Sequence, residues 1–319
     1  MVWQGYDAMI TDGVDRVALS IRTLTTIYTV FAQSAKPFRM PVSQRTQDSQ
    51  IMQKIVVTGA DGRMGRALIE AVCATDGVVL SGAVVRDDSG FIGIDAGELI
   101  GRPKLDVIVT DEVRQVMNPE VTLIDFTAPE ATLNHLSVAK ELGGRLVIGT
   151  TGFSDEQLET LRSYQNEVPM VFAGNYSVGV NLTLQLLRQA AKIIGESSDI
   201  EVIEAHHRHK VDAPSGTALM MGEAVAEAMD VNLKDVGVFS REGITGAREP
   251  GSIGFSTIRG GDIVGEHTVM FASEGERVEI SHKASSRQTF ARGAVRAARW
   301  LLSQPKGLYS MEDVLGFSR

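Results

Sequence analysis

The segment from Lys54 to Val72 constrains the fold of this chain most strongly, because a strand, a glycine-rich turn and a helix follow one another there without a break. Lys54–Thr58 is a short β-branched run, which favours a buried strand. The turn after it carries three glycines: Gly59, Gly62 and Gly65. Glycines at such a turn let the main chain approach a pyrophosphate, and the free N–H groups of the first helical turn then face its charge. The segment predicts a dinucleotide-binding unit; the alternative is a structural turn, since the spacing is G-x-x-G-x-x-G.

Strand-like and helical runs alternate further along the chain. A second strand is predicted at Val78–Val85, and later runs follow at Val121–Phe126, Glu130–Leu142, Arg145–Ile148, Ser154–Tyr164 and Val168–Phe172. This alternation is typical of an α/β fold with a Rossmann-like, doubly wound parallel sheet. Ligands of such sheets lie at the carboxyl ends of the strands, so the turns there are candidates for the nicotinamide and ribose side of a cofactor site. The alternative for each turn is ordinary loop chemistry.

The end of the second strand bears on the choice of cofactor. An acidic side chain normally holds the ribose hydroxyls of NAD about twenty residues after the glycine turn. Here the strand ends in Val85 and Arg86. Arg86, helped by Arg63, can pair with a 2′-phosphate, which favours NADPH over NADH. Asp87 and Asp88 follow at once and weaken this inference, and the alternative is that Arg86 is a solvated loop charge.

A cluster of proton donors and cations follows the strand-like run that begins at Ile200. Four of its residues lie within five positions: His206, His207, His209 and Lys210. Crowded imidazoles and an ammonium repel one another when protonated, and an anionic ligand relieves that repulsion. A histidine near its ordinary pKa of about 6.5 can give a proton at neutral pH. The cluster therefore predicts a site that holds and protonates a small anion.

A helical pattern, Leu219–Met229, begins just after this cluster. Ser215 or Thr217 can cap the helix, and its first N–H groups can receive a carboxylate or phosphate. Capping alone is the structural alternative. A metal site is disfavoured, because adjacent residues of an extended segment, such as His206 and His207, point to opposite faces.

Composition limits the class of protein. The formal net charge of −9 argues against nucleic acid or an anionic membrane as the main partner. No run reaches the roughly 18 apolar residues of a membrane span. The single cysteine, Cys73, lies in an apolar helical pattern that predicts a core position, and it can form no intramolecular disulfide, which fits a reducing compartment such as the cytoplasm.

Residues 1–51 differ from the rest of the chain. They lack the glycine-rich turns found later and end in a polar stretch. A targeting presequence is one interpretation, but Asp7, Asp12 and Asp15 disagree with the acid-poor pattern of such segments. We favour a flexible extension, or a translation start at Met52.

Together these motifs resemble the bacterial 4-hydroxy-tetrahydrodipicolinate reductases, formerly called dihydrodipicolinate reductases, enzymes of lysine and diaminopimelate synthesis. The resemblance covers Met52 to about the C-terminus, and its most specific element is E-A-H-H-R-H-K-V-D-A-P-S-G-T-A at Glu204–Ala218. Supporting matches begin at Gly59 (G-A-D-G-R-M-G), Ile124 (I-D-F-T), Val147 (V-I-G-T-T-G-F), Asn175 (N-Y-S-V-G-V-N) and Gly261 (G-D-I-V-G-E-H).

The resemblance implies roles for matching positions. His206 would be the general acid or base and Lys210 a second proton donor. The substrate dicarboxylate would be bound by His207, Ser215, Gly216 and Thr217. The cofactor would contact Gly59, Ala60, Asp61, Gly62, Arg63, Met64, Gly149, Thr150, Thr151, Ala173, Gly174, Asn175 and Tyr176. Val85 stands where some relatives carry an acidic residue, which puts a preference for NADH in doubt.

The resemblance also implies the architecture and the reaction. A cofactor domain, residues 52–176 with 287–319, would be interrupted by a mixed-sheet α+β domain, residues 177–286, that binds substrate and forms tetramer contacts. Strands are predicted in the insertion at Ser252–Arg259, Glu266–Ala272 and Arg277–His282, and the returning helix at Gln288–Leu302. NAD(P)H would reduce a cyclic unsaturated dicarboxylate with loss of water. Two rival interpretations are a nucleotide-binding sensor without turnover and a metal-dependent hydrolase.

Overall fold

The computed structural model describes residues 52–317, and the expectations for residues 1–51 lie outside this range. Twelve strands are numbered here in chain order: Gln53–Thr58 (β1), Val78–Val84 (β2), Val109–Thr110 (β3), Val121–Asp125 (β4), Arg145–Ile148 (β5), Pro169–Phe172 (β6), Asp199–His206 (β7), Gly237–Val238 (β8), Ile253–Arg259 (β9), Gly265–Ser273 (β10), Glu276–Ala284 (β11) and Gly307–Tyr309 (β12).

The α-helices of the described range are numbered in the same way: Arg63–Cys73 (α1), Ala96–Leu99 (α2), Val113–Val116 (α3), Pro129–Leu142 (α4), Asp155–Ser163 (α5), Val178–Ile194 (α6), Gly216–Ala228 (α7), Leu233–Val236 (α8), Gln288–Leu301 (α9) and Met311–Leu315 (α10). No helix among these residues is long and apolar enough to cross a membrane.

The first sheet has the strand order β12-β6-β5-β4-β1-β2-β3, and all its pairs are parallel. The chain leaves β1 towards β2 and β3, then returns to β4 on the other side of β1, so the strand order reverses between β1 and β4. The residues of β1 are largely buried because helices cover both faces of the sheet. The predicted doubly wound α/β sheet is confirmed. Sheets of this kind bind ligands where the strand order reverses, which in this sheet is at the carboxyl ends of β1 and β4.

The second sheet is mixed, with the order β11-β10-β7-β9-β8. β7 runs parallel to β9 and antiparallel to β10. Along β7 alternate side chains are buried: Ile200, Val202, Glu204 and His206. Every second side chain of a strand points to the same face. Glu204 and His206 therefore lie on the buried face of β7, which Ile200 and Val202 anchor in the core.

Helix α9 returns to the first sheet and packs closely on the segment after β6. A Cβ atom on Gly293 would collide with the main-chain oxygen of Tyr176, so only glycine permits this approach. Ala294, Val295 and Ala298 are buried as their helical spacing predicts. The predicted helix included Leu302, but the observed helix ends at Leu301, and the Leu302 side chain is exposed.

Two sequence-based expectations for the fold need correction. Cys73 is the last residue of α1 and is exposed, because the helical face that packs on the sheet carries Leu68, Ala71 and Val72 instead. The short strands β3, β8 and β12 were not predicted. Each has two or three residues and pairs with a strand already in place, so its sequence carries too little periodicity to be recognised.

Candidate active site

The glycine loop between β1 and α1 has a conformation that depends on residues without Cβ atoms. Gly59 has φ +60°, in the left-handed region, and a Cβ atom on it would lie 3.1 Å from the side chain of Thr127 at the end of β4. A Cβ atom on Gly65 would lie 2.7 Å from Cα of Ala60, so α1 can approach the loop only without a side chain there. Gly62 is the N-cap of α1 and offers no side-chain cap. The first N–H groups of α1 are therefore available to an anionic ligand, and the loop fits a dinucleotide.

The other predicted residues of this loop differ in accessibility. Ala60 is buried, and its N–H bonds to the carbonyl of Val84. Arg63 is exposed and Met64 is half-buried. Asp61 accepts a hydrogen bond from Ser89 Oγ at 2.7 Å, which ties the glycine loop to the loop after β2.

The end of β2 carries no carboxylate towards this crevice. Val85 is buried in the apolar core, so the position that would hold the ribose of NAD is turned inward. Arg86 is exposed, and its Nε lies 3.5 Å from Oδ1 of the exposed Asp88. An exposed ion pair at this distance contributes little, so the Arg86 guanidinium can reorient towards a 2′-phosphate.

A buried polar network, which was not predicted from the sequence, lies behind the turns after β4 and β5. Asp125 is fully buried and its Oδ2 lies 2.7 Å from Nδ1 of His135. Its Oδ1 accepts hydrogen bonds from Thr58 and from both the N–H and the hydroxyl of Thr127. Thr150 Oγ also accepts the Thr127 N–H. The network orders Thr127 and Thr150 beside the glycine loop.

Burial alone would raise the pKa of Asp125, but the hydrogen bonds and charge of His135, with the hydroxyl of Thr127, hold it below the ordinary value. Asp125 is therefore ionised at neutral pH and serves as an acceptor for the surrounding donors. An aspartate at the end of a buried strand was the feature of the sequence from which this buried network could have been predicted.

Aromatic packing shapes the floor of the crevice next to this network. The ring of Phe126 covers Gly149 so closely that a Cβ atom on Gly149 would overlap it, and the same ring lies 5.4 Å from that of Tyr176. The Tyr176 side chain is buried, with its hydroxyl near the carbonyls of Ile148 and Val171. A contact between Tyr176 and a cofactor would therefore be made by the main chain. Thr151 is exposed at the rim.

Asn175 joins the turn after β6 to helix α7, which packs on the second sheet. Its Nδ2 donates to Thr217 Oγ1 at 3.0 Å, while its Oδ1 accepts from the N–H of Ser177. Gly174, next to it, is exposed, and a Cβ atom there would lie 3.4 Å from the sulfur of Met220 in α7; Ala173 is half-buried. The two predicted binding regions are thus in direct contact.

The N-terminus of α7 carries the predicted substrate-binding residues. Ser215 is its N-cap, and the hydroxyl accepts from the N–H of Ala218, as the sequence predicts. The same hydroxyl lies 2.9 Å from Nε2 of His267, a neighbour that the sequence analysis missed. Gly216 and Thr217 form the first turn, where Gly216 is exposed and Thr217 half-buried. The first turn has no acidic residue, so its positive end is not neutralised.

His206 ends β7 beside this helix and is 8% exposed. Its Nδ1 lies 2.5 Å from Oε2 of Glu204. Both oxygens of Glu204 also accept from Arg259, at 2.8 Å each. Burial lowers the pKa of His206, and Lys210 and Arg259 add to this, while the Glu204 carboxylate acts in the opposite direction. Burial, with nearby His206, also lowers the pKa of His267 to about 4, so His267 is neutral at physiological pH.

The loop after β7 carries the remaining predicted residues. Lys210 is partly buried and its Nζ lies 2.8 Å from Oδ1 of the exposed Asp212. His207 is half-buried with its Nδ1 unpartnered within the described residues, and its ring lies 6.2 Å from that of His209. His206 alone of the three histidines is buried beside α7. The described residues contain no cluster of three or more metal-ligating side chains.

The arrangement can hold an anionic ligand and transfer a proton to it. Two cations, Lys210 and Arg259, lie near His206, and the α7 N-terminus adds partial positive charge. One nitrogen of the buried imidazole is held by a carboxylate, and the other makes no hydrogen bond to a residue within 52–317, so it can exchange a proton.

Two family models match the chain. Residues 53–176 match a model described as dihydrodipicolinate reductase, N-terminus, and residues 179–315 match one described as dihydrodipicolinate reductase, C-terminus.

Solved structures share the fold. Dipicolinate-bound dihydrodipicolinate reductase from Paenisporosarcina sp. TG-14 is similar with a TM-score of 0.64 and 24% identity, over 81% of this chain and 97% of that chain. An amine dehydrogenase from Mycobacterium smegmatis has a TM-score of 0.57 and 14% identity, over 81% and 95% of the two chains. At these identities the likeness concerns the fold alone. Because the two family models together span well over half of its residues, the chain belongs to the dihydrodipicolinate reductase family of NAD(P)-dependent oxidoreductases.

Proposed function

We propose that this protein reduces 4-hydroxy-tetrahydrodipicolinate to tetrahydrodipicolinate with NAD(P)H and loss of water, in the cytoplasmic synthesis of lysine and diaminopimelate. The observation that carries the proposal is the position of His206: a buried imidazole at the end of β7, beside Lys210 and the positive end of α7, whose first turn has no acidic residue. The family membership supports the reaction class. We also propose residues 52–176 with 287–319 as the cofactor domain and residues 177–286 as the substrate domain.

The nicotinamide cofactor would supply the hydride. The loop from Gly59 to Met64 would bind its pyrophosphate, since Gly59 has a φ of +60°, a Cβ atom is excluded at Gly65 and no side chain caps the first N–H groups of α1. The turns at Gly149–Thr151 and Ala173–Tyr176 would line the nicotinamide side. The Asn175–Thr217 hydrogen bond holds that side against the substrate helix, and such fixed proximity is what transfer between two bound rings requires.

Substrate carboxylates would be held by the first turn of α7, through Gly216, Thr217 and the Ser215 cap, with His207 at the edge. Lys210 would neutralise a carboxylate and act as a second proton donor; on binding it would exchange its exposed partner Asp212 for the ligand. His206 would give the proton that balances the hydride. The positive end of α7 and the Lys210 ammonium would attract a dianion, whereas the charge of Arg259 is balanced by Glu204.

We propose NADPH as the preferred cofactor, with NADH also accepted. The support is that Val85 faces the core and offers no acidic contact to a ribose, while Arg86 is exposed and only loosely paired. A 2′-phosphate would gain a charge-assisted contact with that guanidinium.

We further propose a homotetramer. The support is the family resemblance, together with the exposed side chain of Ile258, which lies on the face of β9 that points away from the core of the second sheet. The mass in solution, measured by light scattering coupled to size-exclusion chromatography, would test this directly; a monomer would contradict it.

The test of the reaction is to follow cofactor oxidation with NADPH and NADH separately, using substrate freshly made from pyruvate and aspartate semialdehyde by the preceding synthase. We expect rapid oxidation, and we expect His206→Gln to lower kcat by about 10²- to 10⁴-fold while cofactor binding is kept. Cofactor binding without oxidation would favour the sensor interpretation. Loss of activity on chelation would favour a metal-dependent hydrolase instead. Full activity of the His206→Gln variant would refute the acid assignment.

A further inference from the structure

Glu204 is a buried carboxylate with an unusual set of partners. It is 1% exposed and lies two residues before His206 on the same face of β7. Oε2 contacts Nδ1 of His206 at 2.5 Å, and Oε1 accepts the main-chain N–H of Ser215 at 3.1 Å. Arg259 donates to both oxygens from Nη1 and Nη2. One side chain thus contacts the imidazole and the cap of the anion-binding helix.

Burying a carboxylate costs free energy unless hydrogen bonds and an opposite charge compensate for the lost water. Burial raises the pKa of Glu204, but hydrogen bonds from Arg259 and His206 outweigh this and keep it below the ordinary value. Glu204 is therefore ionised at neutral pH and can only accept hydrogen bonds. Arg259 also donates to the main-chain oxygen of Asp212, so the compensating cation is itself held by the loop that carries Lys210.

We propose that Glu204 is a positioning residue for the reduction: it holds His206 with a proton on Nδ1 and directs Nε2 to the ligand, while its second oxygen fixes Ser215 at the start of α7. This inference rests on the proposed function. Nε2 makes no hydrogen bond to a residue of the described range, which leaves it available for the transferred proton. A carboxylate behind a working imidazole fixes the ring tautomer and its orientation.

The electrostatic consequence can be derived from the groups that face His206. They are Glu204 on β7, Lys210 in the following loop, Arg259 on β9 and His267 on β10, whose ring lies 5.0 Å from that of His206. Glu204 is the one anion among them and it stabilises the imidazolium, whereas the cations oppose it. Removing the Glu204 charge would therefore lower the pKa of His206 further, and a smaller fraction would be protonated at neutral pH.

The test compares Glu204→Gln with a matched control, Glu201→Gln. Glu201 lies three residues earlier on β7 and is also paired with arginines, Arg241 and Arg248, but it has no contact with His206. Both variants lose an arginine-paired carboxylate from the same strand. The readouts are kcat as a function of pH, the cofactor dissociation constant and the ¹⁵N resonances of the imidazole rings in the resting protein.

For Glu204→Gln we expect kcat at neutral pH to fall by about 10- to 100-fold, with cofactor affinity unchanged. Because the reaction needs protonated His206, kcat declines as pH rises through its pKa, and this decline should move to lower pH. The imidazole proton should redistribute from Nδ1 to Nε2. In Glu201→Gln the pH profile and the ring tautomer should match those of the wild type. A merely structural role for Glu204 would leave both readouts unmoved, which would overturn the proposal.

Two further outcomes are separable. If the wild type shows no turnover, the proposed function fails, and the ¹⁵N spectra still decide whether Glu204 sets the tautomer. If Glu204→Gln does not fold, Glu204→Asp provides the test. This variant keeps the negative charge, but its side chain is one methylene shorter and the carboxylate lies farther from His206. We therefore expect a partial shift of the pH profile. A wild-type profile in the folded Asp variant would contradict the positioning role.

Discussion

Replacement of Asp125 by Asn tests whether the network behind the cofactor turns is held by a charge. The substitution keeps the shape of the side chain but removes the negative charge that His135 and Thr127 contact. Hydrogen bonds to a charged group contribute about 1.5–3 kcal/mol each, and removing one partner of a buried pair costs about 3–5 kcal/mol. Since Asn retains one acceptor oxygen, we expect the free energy of unfolding to fall by about 2–3 kcal/mol.

For a unit of this size such a loss lowers the melting temperature by roughly 4–12 °C, as followed by circular dichroism. The matched control is Asp111→Asn, an exposed aspartate just after β3, which should change the melting temperature little. Because the Thr127 side chain lies beside Gly59 of the glycine loop, we also expect the Asp125 variant to bind the cofactor more weakly. A melting temperature within 1–2 °C of the wild type would refute the reasoning.

The same variant has a predictable pH dependence. The pKa of Asp125 is lowered in the folded protein, so its contribution to stability is present above the unfolded pKa of about 3.9 and is lost as pH falls through the folded value. The difference in stability between wild type and Asp125→Asn should therefore be full at pH 7 and should shrink only below about pH 4. A difference that shrank between pH 7 and pH 5 would point to another group.

Three further substitutions test the rest of the site. Gly65→Ala would place a Cβ atom 2.7 Å from Cα of Ala60 and so displace the glycine loop. The NADPH dissociation constant, measured by fluorescence titration, should rise at least about tenfold. An unchanged dissociation constant would argue against a pyrophosphate at this loop. Thr217→Val removes the hydroxyl that Asn175 contacts and should raise the substrate KM about tenfold while the cofactor dissociation constant stays unchanged. If Thr217 had only a structural role, the variant would be less stable and its substrate KM would not rise selectively. Arg86→Ala should raise the KM for NADPH about tenfold and leave that for NADH unchanged, and equal effects on both would contradict a 2′-phosphate contact.

Several parts of the fold could be read from local sequence because local rules determine them. The glycine turn after β1 needs residues without Cβ atoms, and the cap at Ser215 needs a short side-chain acceptor, so both can be recognised in a few residues. The helix α9 was predicted to within one residue because its buried positions recur at helical spacing. Edge strands such as β3 and β12 could not be predicted, because they exist only where a neighbouring strand offers hydrogen bonds.

The sequence by itself determined the longer strands and helices, the glycine turn and the histidine cluster, since these depend on backbone sterics and on side-chain period within a short stretch. Only the tertiary structure decided which groups share an environment. Arg259 reaches Glu204 from 55 positions away because β9 pairs in parallel register with β7, and Asn175 meets Thr217 because α7 lies against the turn after β6. Burial likewise decided that His206, and not the adjacent His207, lies against a carboxylate. Charge, desolvation and proton position depend on such long-range contacts, and no local pattern encodes them.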